Sequence, residues 1–185
     1  MKYMILCLVF ILASLSFCLS SYASGVDINK NWGIGLQGNY PLLGGISVRY
    51  YGLSPVYFQA VGRFISNGEE KDNMLGAGVS YAILEHVKSV ITRLYFSLEA
   101  GGRYKKSLDW SNWIPAENRN EYILNIKKTY GAGVAFGIEI VVPFFGTQLG
   151  FNVEIGQGFG RVISEHNKDK NIGSFILGSG IHIYF

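Results

Sequence analysis

The chain has only two cysteines, and both lie within its first 18 residues. The rest of the chain therefore cannot form a disulfide bond, and its stability must come from elsewhere. Proline is scarce, with four residues in 185, and no segment has the composition of a linker between two domains. A net charge of +3 without any basic run argues against nucleic-acid binding. An apolar fraction of 49% excludes a disordered chain.

The N-terminal segment differs from everything that follows it. It begins with Lys2, continues as an apolar run to about Leu19, and ends at Ser21-Tyr22-Ala23, which fits a cleavage site with small residues at the two critical positions. We expect residues 1–23 to be a secretory signal peptide and residues 24–185 to form the exported domain. An uncleaved membrane anchor is the alternative, but the run is short for a spanning helix.

From residue 31 onward, apolar residues recur with a period of two, which is the period of a β-strand. We expect eight strands of roughly ten residues, a length that crosses a bilayer when the strand is tilted. Only the segment Leu84–Thr92 competes as a possible helix. The predicted strands are Trp32–Tyr40, Ile46–Leu53, Val56–Phe64, Met74–Ile83, Leu94–Tyr104, Thr129–Ile140, Gln148–Gly160 and Ser174–Phe185.

The connections between the predicted strands alternate in length and charge. Gly52–Pro55 and Val142–Gly146 are short and poor in charge, whereas Ile65–Asn73, Lys105–Lys128 and Arg161–Gly173 are longer and polar. Short turns on one edge and long loops on the other are typical of an outer-membrane barrel. Because the number of strands is even, we expect both ends of the domain on the same side.

Two architectures fit an alternating chain of eight strands. One is a soluble lipocalin-like barrel with an apolar interior, and the other is a membrane barrel with an apolar exterior. Charge placement favours the second, because the few charged residues within strands all share the glycine-rich face, which suits a narrow interior. These residues are Arg49, Arg63, Glu99, Arg103, Glu139 and Glu154. We therefore expect an all-β fold, a closed antiparallel eight-stranded up-and-down transmembrane β-barrel.

Aromatic residues lie near both ends of the predicted strands, on the apolar face. One set is Trp32, Phe58, Phe96, Phe151 and Phe185, and the other is Tyr40, Phe64, Tyr104, Tyr130 and Phe175. Between them runs a band of Ile, Leu, Val and Ala that carries no charge. Two aromatic girdles around an apolar band are typical of a lipid-facing surface.

The last strand ends in Gly-Ile-His-Ile-Tyr-Phe, with alternating apolar residues up to Phe185. With the eight-strand pattern, this ending resembles the small outer-membrane barrels of the OmpA/OmpX kind. The resemblance covers nearly all of residues 31–185 and implies the outer membrane of a Gram-negative-type bacterium, with periplasmic termini and extracellular long loops. It further implies that Ile181, Ile183 and Phe185 form the insertion signal read by the barrel-assembly machinery. The expected surroundings are outer-membrane lipid or lipopolysaccharide around a monomer.

The charged residues of the polar face are three arginines and three glutamates, so their charges balance. We expect them to form a hydrogen-bonded plug, because buried charges in a narrow barrel must pair. A filled barrel would have a structural role or would bind partners through its loops. The alternative is a path for protons or substrates, which would make the protein a small-solute channel.

The Lys105–Lys128 connection carries Trp110 and Trp113. Exposed tryptophans often anchor interfaces, so both are candidate contacts for an unidentified surface ligand. Alternatively, they rest at the membrane interface or pack within the loop.

No catalytic, metal or cofactor site is expected. His86, His166 and His182 lack the spacing of metal ligands. Some small outer-membrane barrels modify lipid A, and the deacylases among them carry a His and a Ser two residues apart, followed by Asn. The nearest stretch here is Ser164-Glu-His166-Asn167, with Lys168 where the serine would be. The nucleophile is missing, so lipid modification is the remaining alternative rather than the favoured function.

Overall fold

The computed structural model describes residues 30–40, 43–114, 119–165 and 169–185. In this part the chain forms eight β-strands and no helix, and hence no helix that could cross a membrane. The strands are β1 (Trp32–Tyr40), β2 (Leu43–Leu53), β3 (Val56–Asn67), β4 (Glu70–Val87), β5 (Ile91–Ile114), β6 (Arg119–Phe144), β7 (Thr147–Ser164) and β8 (Lys170–Tyr184). The signal peptide expected at residues 1–23 lies outside the described residues.

The strands pair in chain order, all antiparallel, and β8 returns to pair with β1. This closing ladder runs from Gly33 opposite Tyr184 to Tyr40 opposite Leu177. At its end, the backbones of Trp32 and Phe185 exchange two hydrogen bonds of 2.9 and 3.2 Å. The predicted closed, up-and-down arrangement of eight antiparallel strands is confirmed.

Successive side chains point alternately to the two sides of the barrel wall, and they separate by polarity. On β1, Ile34 and Leu36 are 48% and 59% exposed, whereas Asn39 is completely buried at 0%. The other strands repeat the pattern. Their outward residues include Ile46, Phe58, Leu75, Leu98, Val134, Phe136, Val153, Ile155 and Leu177. The barrel is therefore polar inside and apolar outside, the reverse of a lipocalin-like barrel.

The prediction of three long loops was wrong, because most of these residues continue the strands. Within 65–73 only Gly68 and Glu69 form a turn. The strands β5 and β6 reach 24 and 26 residues and take up most of 105–128, and β7 and β8 extend in the same way into 161–173. Polar residues can form these ends because an antiparallel ribbon needs no apolar face where water surrounds it.

The segment Leu84–Thr92 is not a helix either. The strand β4 continues to Val87, a bend covers residues 88–90, and β5 begins at Ile91. Between Ala82 and Leu84 the β4–β5 register shifts. Such a bulge breaks the period of two, which explains why sequence periodicity ended the strand too early.

The barrel has two rims with different connections. The rim that contains Trp32 and Phe185, named the terminal rim here, carries the short turns at 54–55, 88–90 and 145–146. At the opposite, distal rim, β5 and β6 continue past their neighbours. Beyond residues 106 and 127 they pair only with each other, up to Ile114 opposite Arg119. This β5–β6 ribbon (residues 107–114 and 119–126) is about 25 Å long at the usual rise of a strand.

Closure of the ring depends on a close approach of β1 to β8 at Gly35. A Cβ atom there would overlap the Ile181 carbonyl oxygen and lie 2.7 Å from His182 Cα. We expect Gly35→Ala to lower the free energy of unfolding by about 1–3 kcal/mol, because backbone atoms must move. The measurement is the urea midpoint of the refolded protein.

The matched control for Gly35 is Gly38, on the same strand. A Cβ at Gly38 meets no atom within 4 Å, so Gly38→Ala should be neutral or should stabilise by about 0.5 kcal/mol. Equal losses from the two substitutions would contradict the importance of the close approach.

Candidate functional site: the charged interior

Glu139 accepts more hydrogen bonds than any other carboxylate among the described interior residues, and it is 0% exposed. Its carboxylate accepts hydrogen bonds from Arg49 and Arg93, both at 3.1 Å. The Tyr51 hydroxyl donates to it at 2.9 Å, and the Tyr184 hydroxyl also donates to it. Two guanidinium groups and two hydroxyls therefore replace the water that a buried carboxylate has lost.

Glu154 forms a second centre, connected to the first by Arg49. It accepts hydrogen bonds from the Tyr95 hydroxyl at 2.6 Å and from Gln37 Nε2 at 3.0 Å. Asn39 Nδ2 donates to the same carboxylate. The guanidinium of Arg49 lies 3.6 Å from Glu154 and donates to Gln37 Oε1 at 3.0 Å. At Glu154 the hydrogen-bond donors are thus two neutral amides and a hydroxyl, whereas at Glu139 they include two guanidinium groups.

Glu99 is the third buried carboxylate of the interior network. Among the described residues, no arginine lies within ion-pair distance of it. Asn39 Nδ2 lies 2.7 and 2.9 Å from its two oxygens. Since the same nitrogen also donates to Glu154, one amide bridges two carboxylates. The fully interior carboxylates therefore outnumber the guanidinium groups that face them.

Arg93 connects Glu139 to the terminal rim. Its Nε donates to Glu85 at 2.6 Å, and the Tyr57 hydroxyl donates to the same carboxylate at 2.7 Å. The guanidinium carbon lies 4.4 Å from the centre of the Tyr51 ring, within the range of a cation–π contact. Arg93 is thereby held by two carboxylates and an aromatic face.

The bulge in β4 is what brings Glu85 to this site. After the register shift between Ala82 and Leu84, Glu85 pairs with Arg93 across the β4–β5 ladder. Without the shift, odd-numbered residues of β4 would remain on the outward face, as Ile83 does. The local irregularity therefore adds an anion at the terminal-rim end of the network.

His182 is a separate polar contact of the interior. It is fully buried, and its Nε2 lies 2.9 Å from Ser47 Oγ. Its Nδ1 has no hydrogen-bond partner among the described residues. No group of three His, Cys, Asp or Glu side chains suited to a metal ion comes together in the described part of the chain.

Arg63 and Arg103 do not join this interior network. Both pair with Asp72 at the distal rim, at 2.8 Å and at 2.7 and 2.8 Å, and all three side chains are partly exposed. Asp72 lies beyond the outward apolar band, and the hydrogen bonds from Arg103 lower the pKa of its carboxyl group. The expected single plug is thus two clusters.

A small apolar cluster also lies in the barrel interior. Val61, Ala135 and Ile176 are buried against one another there. One cavity of about 10 Å³ is lined by Arg49, Tyr51, Tyr57, Gln59 and Tyr95, among others, which is space for about one water molecule.

Four of the interior charges, Arg49, Glu99, Glu139 and Glu154, are predicted by the sequence pattern, and the structure places them close together. Arg93 was not among the predicted charges, although it has the same parity as Glu99 on β5. The hydroxyl and amide donors were also overlooked. They are Gln37, Asn39, Tyr51, Tyr95 and Tyr184.

The other singled-out residues lie at the ends of the barrel. Ile181, Ile183 and Phe185 face outward and are exposed on the last strand. Trp110 and Trp113 belong to β5 in the ribbon, where Trp110 is opposite Tyr122; their side chains are outside the described part. The stretch after Ser164 that resembled a deacylase motif, residues 166–168, also lies outside it.

Comparison with known proteins gave no match to this chain, whether with protein-family models, curated proteins or solved structures. What the chain shares with small outer-membrane barrels is thus limited to its architecture, a ring of eight antiparallel strands. Function is inferred from the interior and the surface alone.

Removing the charge of Glu139 should destabilise the barrel strongly. In Glu139→Gln, two buried guanidinium groups each lose a carboxylate partner at 3.1 Å, and we expect a loss of about 3 kcal/mol or more in the free energy of unfolding. Asp169→Asn is the control, because it removes the partner of Arg161 in an exposed ion pair of 2.7 Å. That change should cost less than about 1 kcal/mol. Similar losses in the two variants would contradict a special role of burial.

Proposed function

We propose that the chain is an integral outer-membrane β-barrel protein with a plugged polar interior, which presents the β5–β6 ribbon for contacts at the cell surface. The observation that carries this proposal is the inversion of polarity, with buried charges inside and large apolar side chains exposed outside. A water-soluble domain would gain nothing from exposing such a surface. Lipid, in contrast, requires an apolar exterior and a closed sheet without free edges.

The dimensions of the outward band support a membrane. On β6, outward apolar residues follow one another from Tyr130 to Ile140. About ten residues at about 3.3 Å each, tilted by about 40°, give a height of about 25 Å, the usual apolar height of such barrels. Aromatic rings lie toward the ends of the band, with Trp32 and Phe185 at the terminal rim and Phe64 toward the distal rim.

The two rims differ as the two sides of an outer membrane do. Short turns lie at the terminal rim and the long ribbon at the distal rim, so we assign the terminal rim to the periplasm and the distal rim to the exterior. In this assignment Ile181, Ile183 and Phe185 lie at the periplasmic end of β8, where the barrel-assembly machinery would read them.

Dense pairing inside the barrel favours a plug over a channel. Glu139, Glu154 and Glu99 are each held by several donors, and the small cavity beside Arg49 holds about one water. A conducting path would require these contacts to open together. We therefore expect no steady conductance of the purified protein in planar bilayers, and stable single-channel currents would favour the small-solute channel instead.

The β5–β6 ribbon supports a role in surface contacts. It stands about 25 Å beyond the last residues that pair with neighbouring strands, and it carries Trp110 and Trp113. Beyond Ile126, which accepts a backbone hydrogen bond from Glu165, neither strand of the ribbon pairs with a third strand in the described part of the chain. An extended partner can therefore add to its edges. A ribbon of this length is not needed to close the barrel, which supports a role in contacts outside it.

The membrane assignment is tested by fractionation together with the gel mobility of heated and unheated samples. A folded outer-membrane barrel migrates differently before and after boiling, and it should sediment with outer membranes. A protein recovered in the periplasm, with no heat-dependent shift, would contradict the assignment.

A charge on the outward band should be costly only in a bilayer. We expect Leu98→Arg to lower stability in lipid vesicles by about 2–4 kcal/mol, because Leu98 is near the middle of the band. Leu53→Arg, at the end of β2 by the terminal rim, should cost less than about 1 kcal/mol. The urea midpoints of the two variants in vesicles give the comparison, and a tolerated Leu98→Arg would contradict lipid contact.

The orientation can be tested by tags on whole cells. A tag inserted after Ile114, at the end of β5, should bind antibody on intact cells. A tag at Gly146, in the short β6–β7 turn, should bind only after permeabilisation. The opposite result would reverse the assignment of the rims.

A further inference from the structure

Three lysines lie together on the outward face where β4, β5 and β6 leave the apolar band. They are Lys71, Lys106 and Lys128. On each strand the lysine occupies an outward-facing position on the distal side of the apolar band. The last outward residues of the band on these strands include Leu75 on β4, Tyr104 on β5 and Tyr130 on β6. The two outer lysines are exposed, and Lys106 between them is half-buried.

The register brings like charges directly opposite each other. Lys71 pairs with Lys106 across the β4–β5 ladder, and Lys128 lies diagonal to Lys106 on β6, since it pairs with Tyr104. Directly opposed like charges destabilise a sheet. Within the described residues, none of the three lysines forms an ion pair with a carboxylate. No carboxylate of the described residues therefore neutralises the cluster.

An apolar depression lies below the lysines on the same three strands. It has a volume of about 540 Å³, and its wall includes Ala77, Leu98, Ala100, Ala132 and Val134. Ala77, Ala100 and Ala132 are aligned across β4, β5 and β6, so small side chains leave the space there. The distance from Lys71 to Ala77 along β4 is about 20 Å. An anionic group with a hydrocarbon chain of similar length would fit both features.

We propose that Lys71, Lys106 and Lys128 bind the phosphate group of a surrounding lipid, with an acyl chain of the same lipid in the alanine-lined depression. The proposal rests on the proposed membrane location, which puts these lysines just beyond the band, at the depth of lipid headgroups. Lysine ammonium groups suit phosphate as point charges. A free phosphate ion would gain nothing from the depression, which is why the lipid is the expected occupant.

The chain offers a closely matched control on the opposite face. Lys105 and Lys127 are also directly opposed across β5 and β6, but they have the parity of Arg103 and face the mouth of the barrel, not the lipid. A third exposed lysine, Lys170 on β8, completes a control variant with the same change in net charge.

The test uses the folded full-length barrel in detergent micelles with phosphatidic acid or phosphatidylcholine, and native mass spectrometry to measure bound lipid. We expect phosphatidic acid to bind at least about fivefold more tightly than phosphatidylcholine, with the preference falling as salt rises. The variant Lys71→Gln/Lys106→Gln/Lys128→Gln should lose most of this preference. Arginine at the same three positions should restore it, and Lys105→Gln/Lys127→Gln/Lys170→Gln should keep it.

Several results would overturn the proposal. These are an unchanged preference in the lipid-face variant, an equal loss in the mouth-face control, or displacement of phosphatidic acid by inorganic phosphate at comparable concentration. Folding of every variant is checked by its heat-dependent gel shift, and Lys106→Gln alone replaces the triple variant if that does not fold. A barrel that inserts into phosphatidylcholine vesicles without any lipid preference would refute this inference alone. Failure to insert into any vesicle would refute the membrane location itself.

Discussion

The pairing of β1 with β8 is the contact on which the rest of the structure depends. Once these strands meet, no strand of the ring has a free edge, and every side chain of the ring has only two possible environments. The alternation along each strand then decides which residues are inside. The interior is so narrow that charged groups there can persist only if they satisfy one another. Closure therefore imposes the network around Glu139, and glycine at Gly35 permits the close approach that closure needs.

The interior network is built unevenly. Glu139 has two guanidinium partners, whereas Glu99 and Glu154 share an amide from Asn39. Removing water makes each of these contacts stronger, and it makes each missing contact more costly. The network therefore ties together all eight strands, since each contributes at least one side chain, with Tyr57 and Gln59 coming from β3. A side-chain network of this extent favours one register of the ring over slipped alternatives.

The sequence was sufficient to predict the eight strands, their order and the polarity of the two faces, because a period of two survives in every strand. It was insufficient where that period breaks or where no apolar face is required. The bulge after Ala82 turned Glu85 inward, and the polar ends of β5 and β6 gave no alternation to read. The strand period also could not separate Arg63 and Arg103 from Glu99, because all three occupy inward-facing positions. Their hydrogen bonds to Asp72 at the distal rim are what separate them from Glu99.

The β5–β6 ribbon contributes neither to ring closure nor to the interior network. Its last pairs, up to Ile114 opposite Arg119, contact no third strand in the described part of the chain. Opening them breaks no ring contact and exposes no interior charge, so the ribbon has its own local stability, lower than that of the barrel. Substitutions in these last pairs consequently change the stability of the ring little. The ribbon can therefore vary in sequence while the ring beneath it keeps its fold.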